Sequence, residues 1–114
     1  MHVFSASFRS ELEAIEFCQY QCSDREDPMN CGLSRALDGQ RINCDFVEAV
    51  FGEGRFDYLA TLLQDPDDVA VITTRSTDRN ALILVMEIEE NKKLRVSGNC
   101  GELNYCGRFK GCFR

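Results

Sequence analysis

The nearly unbroken apolar run at residues 81–88, Ala-Leu-Ile-Leu-Val-Met-Glu-Ile, constrains the fold of this chain most strongly. A half-buried strand alternates polar and apolar residues, whereas a continuous apolar run indicates a strand covered on both faces. The run is shorter than the about 18 apolar residues typical of a membrane-spanning helix. It therefore predicts a central strand inside a folded domain.

Three further segments have the composition of strands. Residues 3–8 are rich in β-formers and predict a first strand. Leu94 and Val96, and then Leu103 and Tyr105, alternate with polar neighbours and predict two more. Consecutive strands joined by short turns pair antiparallel. We also expect the strands near the two chain ends to pair with each other.

Helical patterns lie between the strands. Ser10 and Glu13 have the spacing of a capping box and open an amphipathic helix over residues 10–20. A short helical turn is predicted at residues 33–37 and a longer helix at residues 55–64.

Two segments are harder to assign. Residues 44–51 fit either a helix or a strand, and the spacing of their apolar residues favours a helix. Residues 69–74 are rich in β-formers and follow Pro66, which cannot continue a helix, so they are expected to be extended.

The order of these elements predicts an α+β fold. We expect residues 1–114 to form a single domain with one antiparallel sheet of about four to five strands. Two to three helices are expected to pack on one face of the sheet.

Charge is distributed unevenly along the chain. There are 13 Lys and Arg against 19 Asp and Glu, a net charge of −6. Residues 1–90 carry −11 and residues 91–114 carry +5. This balance argues against binding to a nucleic-acid backbone, which needs a basic excess. An acidic surface instead attracts a basic partner and speeds its association.

Few motifs in the sequence point to catalysis. The single histidine, His2, is close to a chain end, where residues tend to fray. Catalytic groupings of Cys or Ser with His are therefore not expected. The sequence has no glycine-rich phosphate-binding loop. Asp45 and Glu48 are spaced as a carboxylate pair, but acids three apart more often form a solvated helix face. We expect no enzyme activity and no cofactor.

The seven cysteines leave an alternative open. An odd number, with no signal-peptide pattern at the start of the sequence, argues against a secreted disulfide framework and favours a cytoplasmic protein. Free cysteines often fill small buried positions, and this is the preferred interpretation. The alternative is a zinc-binding or redox module built from four of them: Cys18, Cys22, Cys100 and Cys106.

The first half of the chain resembles a known bacterial family. Residues 2–8 are followed by Ser10-Glu11-Leu12-Glu13-Ala14, and an acidic motif Asp45-Phe46-Val47-Glu48 comes later. In this order the features are similar to the immunity protein 22 family, which is found beside polymorphic toxins. The resemblance covers roughly residues 2–63, with a weaker match at residues 103–109. The cysteines at positions 22 and 31 and in the tail depart from the family pattern.

The resemblance implies a non-enzymatic inhibitor that binds a cognate toxin stoichiometrically. Many such toxins are nucleases with basic clefts, which an acidic inhibitor complements. The partner would then be a toxin protein with a basic surface, with no role for nucleic acid or membrane. The candidate partner-binding residues are all acidic: Asp45, Glu48, Asp57, Asp67 and Asp68, with Asp24, Glu26 and Asp27 as a second patch.

Overall fold

The structure is a computed structural model that describes residues 1–19, 31–96 and 100–111. Its strands and α-helices, in chain order, are β1 His2–Ala6, α1 Glu11–Phe17, α2 Gly32–Ala36, β2 Val47–Phe51, α3 Arg55–Leu62, α4 Pro66–Ser76, β3 Ala81–Val85 and β4 Asn104–Arg108. Short 3₁₀ helices span Cys44–Phe46 and Glu89–Lys93. No helix among the described residues is long and apolar enough to cross a membrane.

The four strands form one antiparallel sheet in the order β2-β3-β1-β4. β3 is a central strand that covers only Ala81–Val85, the first five residues of the apolar run at 81–88, and every residue of β3 is buried. β1 pairs with β3 on one side and with β4 on the other. The predicted α+β class, the single sheet and the pairing between the two terminal strands are confirmed.

The helices lie on both faces of the sheet, so the expectation that they share one face is wrong. Phe4 and Ile83 point into one apolar cluster with Leu33 of α2 and Phe17 of α1. The alternate residues of the same strands, among them Val3, Leu82 and Leu84, point into a second cluster with Leu59 of α3 and Ile72 of α4. Within residues 1–19, 31–96 and 100–111, four short α-helices, rather than two or three, cover the two faces. The fully apolar β3 is the sequence feature that requires this double cover.

Residues 69–74 belong to helix α4, and the prediction of an extended segment is wrong. Asp65 is the N-cap, and its side chain accepts a 2.9 Å hydrogen bond from the backbone N–H of Asp67. Pro66 occupies the first helical position, where its missing N–H is tolerated and its fixed φ favours the helix. The Thr73 hydroxyl donates a 2.8 Å hydrogen bond to the Val69 carbonyl, so the polar group of this β-branched residue has a partner within the helix.

Residues 44–51 do not form the favoured helix. A single 3₁₀ turn at Cys44–Phe46 leads into β2, which forms a ladder with β3 from Val47 opposite Val85 to Phe51 opposite Ala81. The neighbouring strand supplies hydrogen bonds that sequence periodicity does not reveal.

Only one of the two strands predicted after β3 is present among the described residues. It is β4, whose pairing with β1 contains a β-bulge between Val3 and Phe4, because Val3 is opposite Gly107 and Phe4 is opposite Tyr105. Residues 94–96 are not in a strand.

Candidate partner-binding face

The second predicted acidic patch, formed by Asp24, Glu26 and Asp27, lies outside the described residues. Of the remaining five candidates, Asp45 is exposed in the 3₁₀ turn before β2, where its backbone N–H donates to Asn43 Oδ1 at 3.1 Å. It is therefore not part of the helical layer formed by α3 and α4.

Glu48 is half-buried on β2 and is held by an aromatic residue that the sequence did not single out. Tyr58 on α3 donates a 2.5 Å hydrogen bond from its hydroxyl to Glu48 Oε2. This bond to the carboxylate raises the pKa of Tyr58, because an ionised tyrosine would place a second negative charge beside Glu48. The Tyr58 side chain remains 38% exposed.

The other three acids lie on the two helices of that layer. Asp57 is in the first turn of α3, and Asp67 and Asp68 are in the first turn of α4. Negative charge is favourable in these first turns because the helix dipole is positive there. Among the described residues, no Lys or Arg forms an ion pair with any of these three carboxylates.

The three carboxylates are spread along the α3–α4 layer rather than gathered in one cluster. The guanidinium of Arg55, at the start of α3, donates a 2.7 Å hydrogen bond to the carbonyl of Arg79, just after α4 ends. The start of α3 therefore lies beside the end of α4, and the two helices run antiparallel. Asp57 is therefore near one end of the layer, and Asp67 and Asp68 are near the other.

Two large apolar side chains on this same layer are exposed. Tyr58 on α3 is 38% exposed and Val71 on α4 is 39% exposed. On the opposite face of the sheet, Leu12 of α1 is 63% exposed. Apolar side chains beside unpaired acids are suited to contact a protein partner.

The four cysteines of the alternative module are not gathered in one place. Cys18 and Cys100 lie in the apolar cluster with Phe4, whereas Cys106 lies on the other side of the sheet. Cys22 lies outside the described residues. Within the described ranges, no group of three or more His, Cys, Asp or Glu side chains is arranged to hold a metal ion.

His2 does not lie in a frayed chain end. It is buried in β1, and its Nδ1 is 2.8 Å from the Tyr105 hydroxyl. Burial lowers the pKa of His2. Nearby, Glu87 binds both the α-ammonium group of Met1 and the Arg108 guanidinium, each at 2.8 Å. This ion-pair group ties β1 and β4 to the end of β3.

Comparison of the chain with known protein families, with curated protein sequences and with solved structures finds no match.

Proposed function

We propose that this protein is a non-enzymatic inhibitor that binds and neutralises a bacterial toxin, in the manner of an immunity protein. The observation that carries the proposal is the α3–α4 surface, on which Asp57, Asp67 and Asp68 find no basic partner among the described residues. Exposed Tyr58 and Val71 lie on the same two helices. The resemblance to the immunity protein 22 family supports the same function.

The partner that best fits this surface is a toxin with a basic cleft, such as a nuclease, acting in the cytoplasm. Carboxylates without internal partners are free to pair with Lys and Arg of another protein. Exposed charges of this kind mainly accelerate association, and salt screens their effect over about 8–10 Å. An exposed aromatic residue among them would supply the apolar contact that holds the complex together.

Co-expression with the protein encoded beside this chain in its genome tests the proposal. We expect this chain to restore growth to cells that the neighbouring protein kills, and the two purified proteins to form a stoichiometric complex. The association rate should fall steeply as salt is added. A neighbouring protein that is not toxic, or a toxic one that this chain neither binds nor blocks, would contradict the proposal.

A matched pair of variants assigns the binding surface. The triple substitution D57N/D67N/D68N removes the three unpaired carboxylates, and E11Q/E89Q/E102Q removes three exposed carboxylates outside α3 and α4. We expect the first variant to lose at least about tenfold in association rate at low salt. The second should keep most of the wild-type rate. Equal losses would show that net charge, rather than this surface, governs binding.

A further inference from the structure

The basic end of the chain takes no part in the proposed function. Residues 91–114 carry a charge of +5, whereas residues 1–90 carry −11. Three of the basic residues lie close together at and just after the second 3₁₀ helix, and all three are exposed: Lys92, Lys93 and Arg95. In the described part of the chain, no Asp or Glu forms an ion pair with any of them. Their positive charge is therefore available to a ligand.

The same segment borders a cavity of about 430 Å³, which is lined by Gln40, Arg41, Lys93 and Leu94. Two of these residues are basic and none is acidic. A cavity of this size accommodates a small ligand. Leu94 belongs to the apolar cluster that contains Phe4, so the cavity lies on the side of the sheet opposite α3 and α4.

The Gln40 side chain joins the two chain segments that form the cavity. Its Nε2 donates to the Leu37 carbonyl at 2.9 Å and to the Arg95 carbonyl at 2.7 Å. Its Oε1 accepts a 2.9 Å hydrogen bond from the Arg95 backbone N–H. These bonds fix the backbone that carries Lys93 and Arg95 beside the backbone that carries Arg41. Because this backbone is ordered before a ligand arrives, binding has to order only the side chains.

Linked phosphoryl groups are the ligand chemistry that best fits this cavity. Guanidinium and ammonium groups form charge-assisted hydrogen bonds to phosphate oxygens, which are roughly twice as strong as bonds between neutral groups. A compound with two or three linked phosphoryl groups concentrates several negative charges in a small volume, as the grouped basic side chains do with positive charge. A long polyanion fits less well, because the acidic remainder of the protein repels it.

We propose that this cavity binds a small compound with two or more linked phosphoryl groups, and that Arg41, Lys93 and Arg95 hold it. The proposal does not depend on the toxin-binding function, because the cavity lies across the sheet from the α3–α4 surface.

Titration of the folded protein with sodium tripolyphosphate tests the proposal. In a nitrogen–proton NMR correlation spectrum, we expect the backbone signals of residues 40–41 and 93–95 to shift, together with the side-chain amide signal of Gln40. Sodium chloride at the same ionic strength should leave these signals almost unchanged. No saturable shift, or equal shifts at basic residues throughout the protein, would overturn the proposal.

Two double variants of equal charge assign the site. K93Q/R95Q removes two basic groups at the cavity and keeps the backbone groups that bind Gln40, whereas R9Q/K110Q removes two exposed basic groups elsewhere. We expect the first variant to bind tripolyphosphate at least about tenfold more weakly, since charge-assisted hydrogen bonds are lost. The second should bind almost as tightly as the wild-type protein. Equal losses in the two variants would show that net charge governs binding, which contradicts the proposal.

A short single-stranded RNA is the competing probe. We expect it to bind the wild-type protein more weakly than tripolyphosphate does. Tighter binding of the RNA, weakened by K93Q/R95Q, would identify a nucleic-acid site and would overturn the assignment of a small ligand.

Discussion

The Tyr58 hydroxyl on α3 donates a 2.5 Å hydrogen bond to Oε2 of Glu48 on β2, and this bond joins the outer helical layer to an edge strand of the sheet. Glu48 is therefore an acceptor within its own protein as well as a candidate partner-binding residue. The bond also positions the exposed Tyr58 ring on the proposed binding surface.

Removing the Glu48 charge should make Tyr58 easier to ionise. The pKa of Tyr58 is raised above its ordinary value of 10.0, and the hydrogen bond to Glu48 is the largest cause. A raised pKa stabilises the folded state below pH 10, and this contribution is lost as the pH rises through the folded-state pKa. In E48Q we expect the phenolate absorbance of one tyrosine to appear at lower pH than in the wild-type protein. Y58F should abolish that difference, and an unchanged titration in E48Q would contradict the assignment.

Replacing Glu87 should destabilise the fold and make its free energy of unfolding depend less on pH under acidic conditions. The Arg108 guanidinium, followed by the Met1 ammonium group, lowers the pKa of Glu87 from 4.5 to about 2. A lowered carboxyl pKa contributes stability in full above pH 4.5, and that contribution is lost as the pH falls toward 2. E87Q should cost about 1–2 kcal/mol at neutral pH, since solvent around Arg108 limits the gain from the pair.

Urea denaturation across this pH range measures the effect. The wild-type protein should lose more stability than E87Q between pH 4.5 and 2. E102Q, which removes an exposed carboxylate before β4, is the control and should follow the wild-type curve. Parallel curves for E87Q and the wild-type protein would show that the ion-pair group does not stabilise the fold.

Adding a methyl group at Gly32 should destabilise the packing of α1 against α2. A Cβ atom there would lie 2.7 Å from Phe17 Cδ2 and 3.1 Å from the Phe17 carbonyl oxygen. The carbonyl cannot move away as a flexible side chain would, so G32A should cost roughly 1–3 kcal/mol although alanine favours helices. A Cβ atom at Gly54 would meet no other atom, so G54A is the control for loss of a glycine without a clash; because Gly54 is the N-cap of α3, where alanine is disfavoured, it should still cost up to about 1 kcal/mol. Thermal denaturation compares the two variants with the wild-type protein, and a loss in G32A no larger than that in G54A would show that a methyl group at position 32 does not clash with Phe17.

The buried Asn91 side chain should stabilise the segment that precedes β2. Its Oδ1 accepts from the Asn43 backbone N–H at 2.8 Å, and its Nδ2 donates to the Asn43 carbonyl at 3.1 Å. N91A would leave both backbone groups without these partners, at a cost of about 2–3 kcal/mol. K92A, at an exposed position in the same 3₁₀ helix, should change stability little. Chemical denaturation measures both, and an equally small effect in N91A would mean that water replaces the lost bonds.

Several elements could be predicted because local chemistry alone specifies them. Ser10 caps α1 by accepting a 3.2 Å hydrogen bond from the Glu13 backbone N–H, as the capping-box spacing predicted. The apolar run that contains β3 could be identified as a strand from its own composition, without knowing which strands pair with it. The candidate acids of α3 and α4 could likewise be selected by their residue type and expected exposure.

Other features of the candidate site needed the tertiary structure. The bond between Tyr58 and Glu48 has no sequence signature, because it joins two separate elements. The antiparallel arrangement of α3 and α4 places Asp57 far along the layer from Asp67 and Asp68, and sequence spacing does not show this.

The sequence by itself determined the α+β class, the central strand β3, the capped helix α1 and the acidic character of the chain. Tertiary structure decided that residues 44–51 pair with β3 as a strand, since their apolar pattern satisfies a helix as well. It also decided that helices cover both faces of the sheet. A continuous apolar strand requires burial on both sides, but only the packing of distant segments determines which helices provide it.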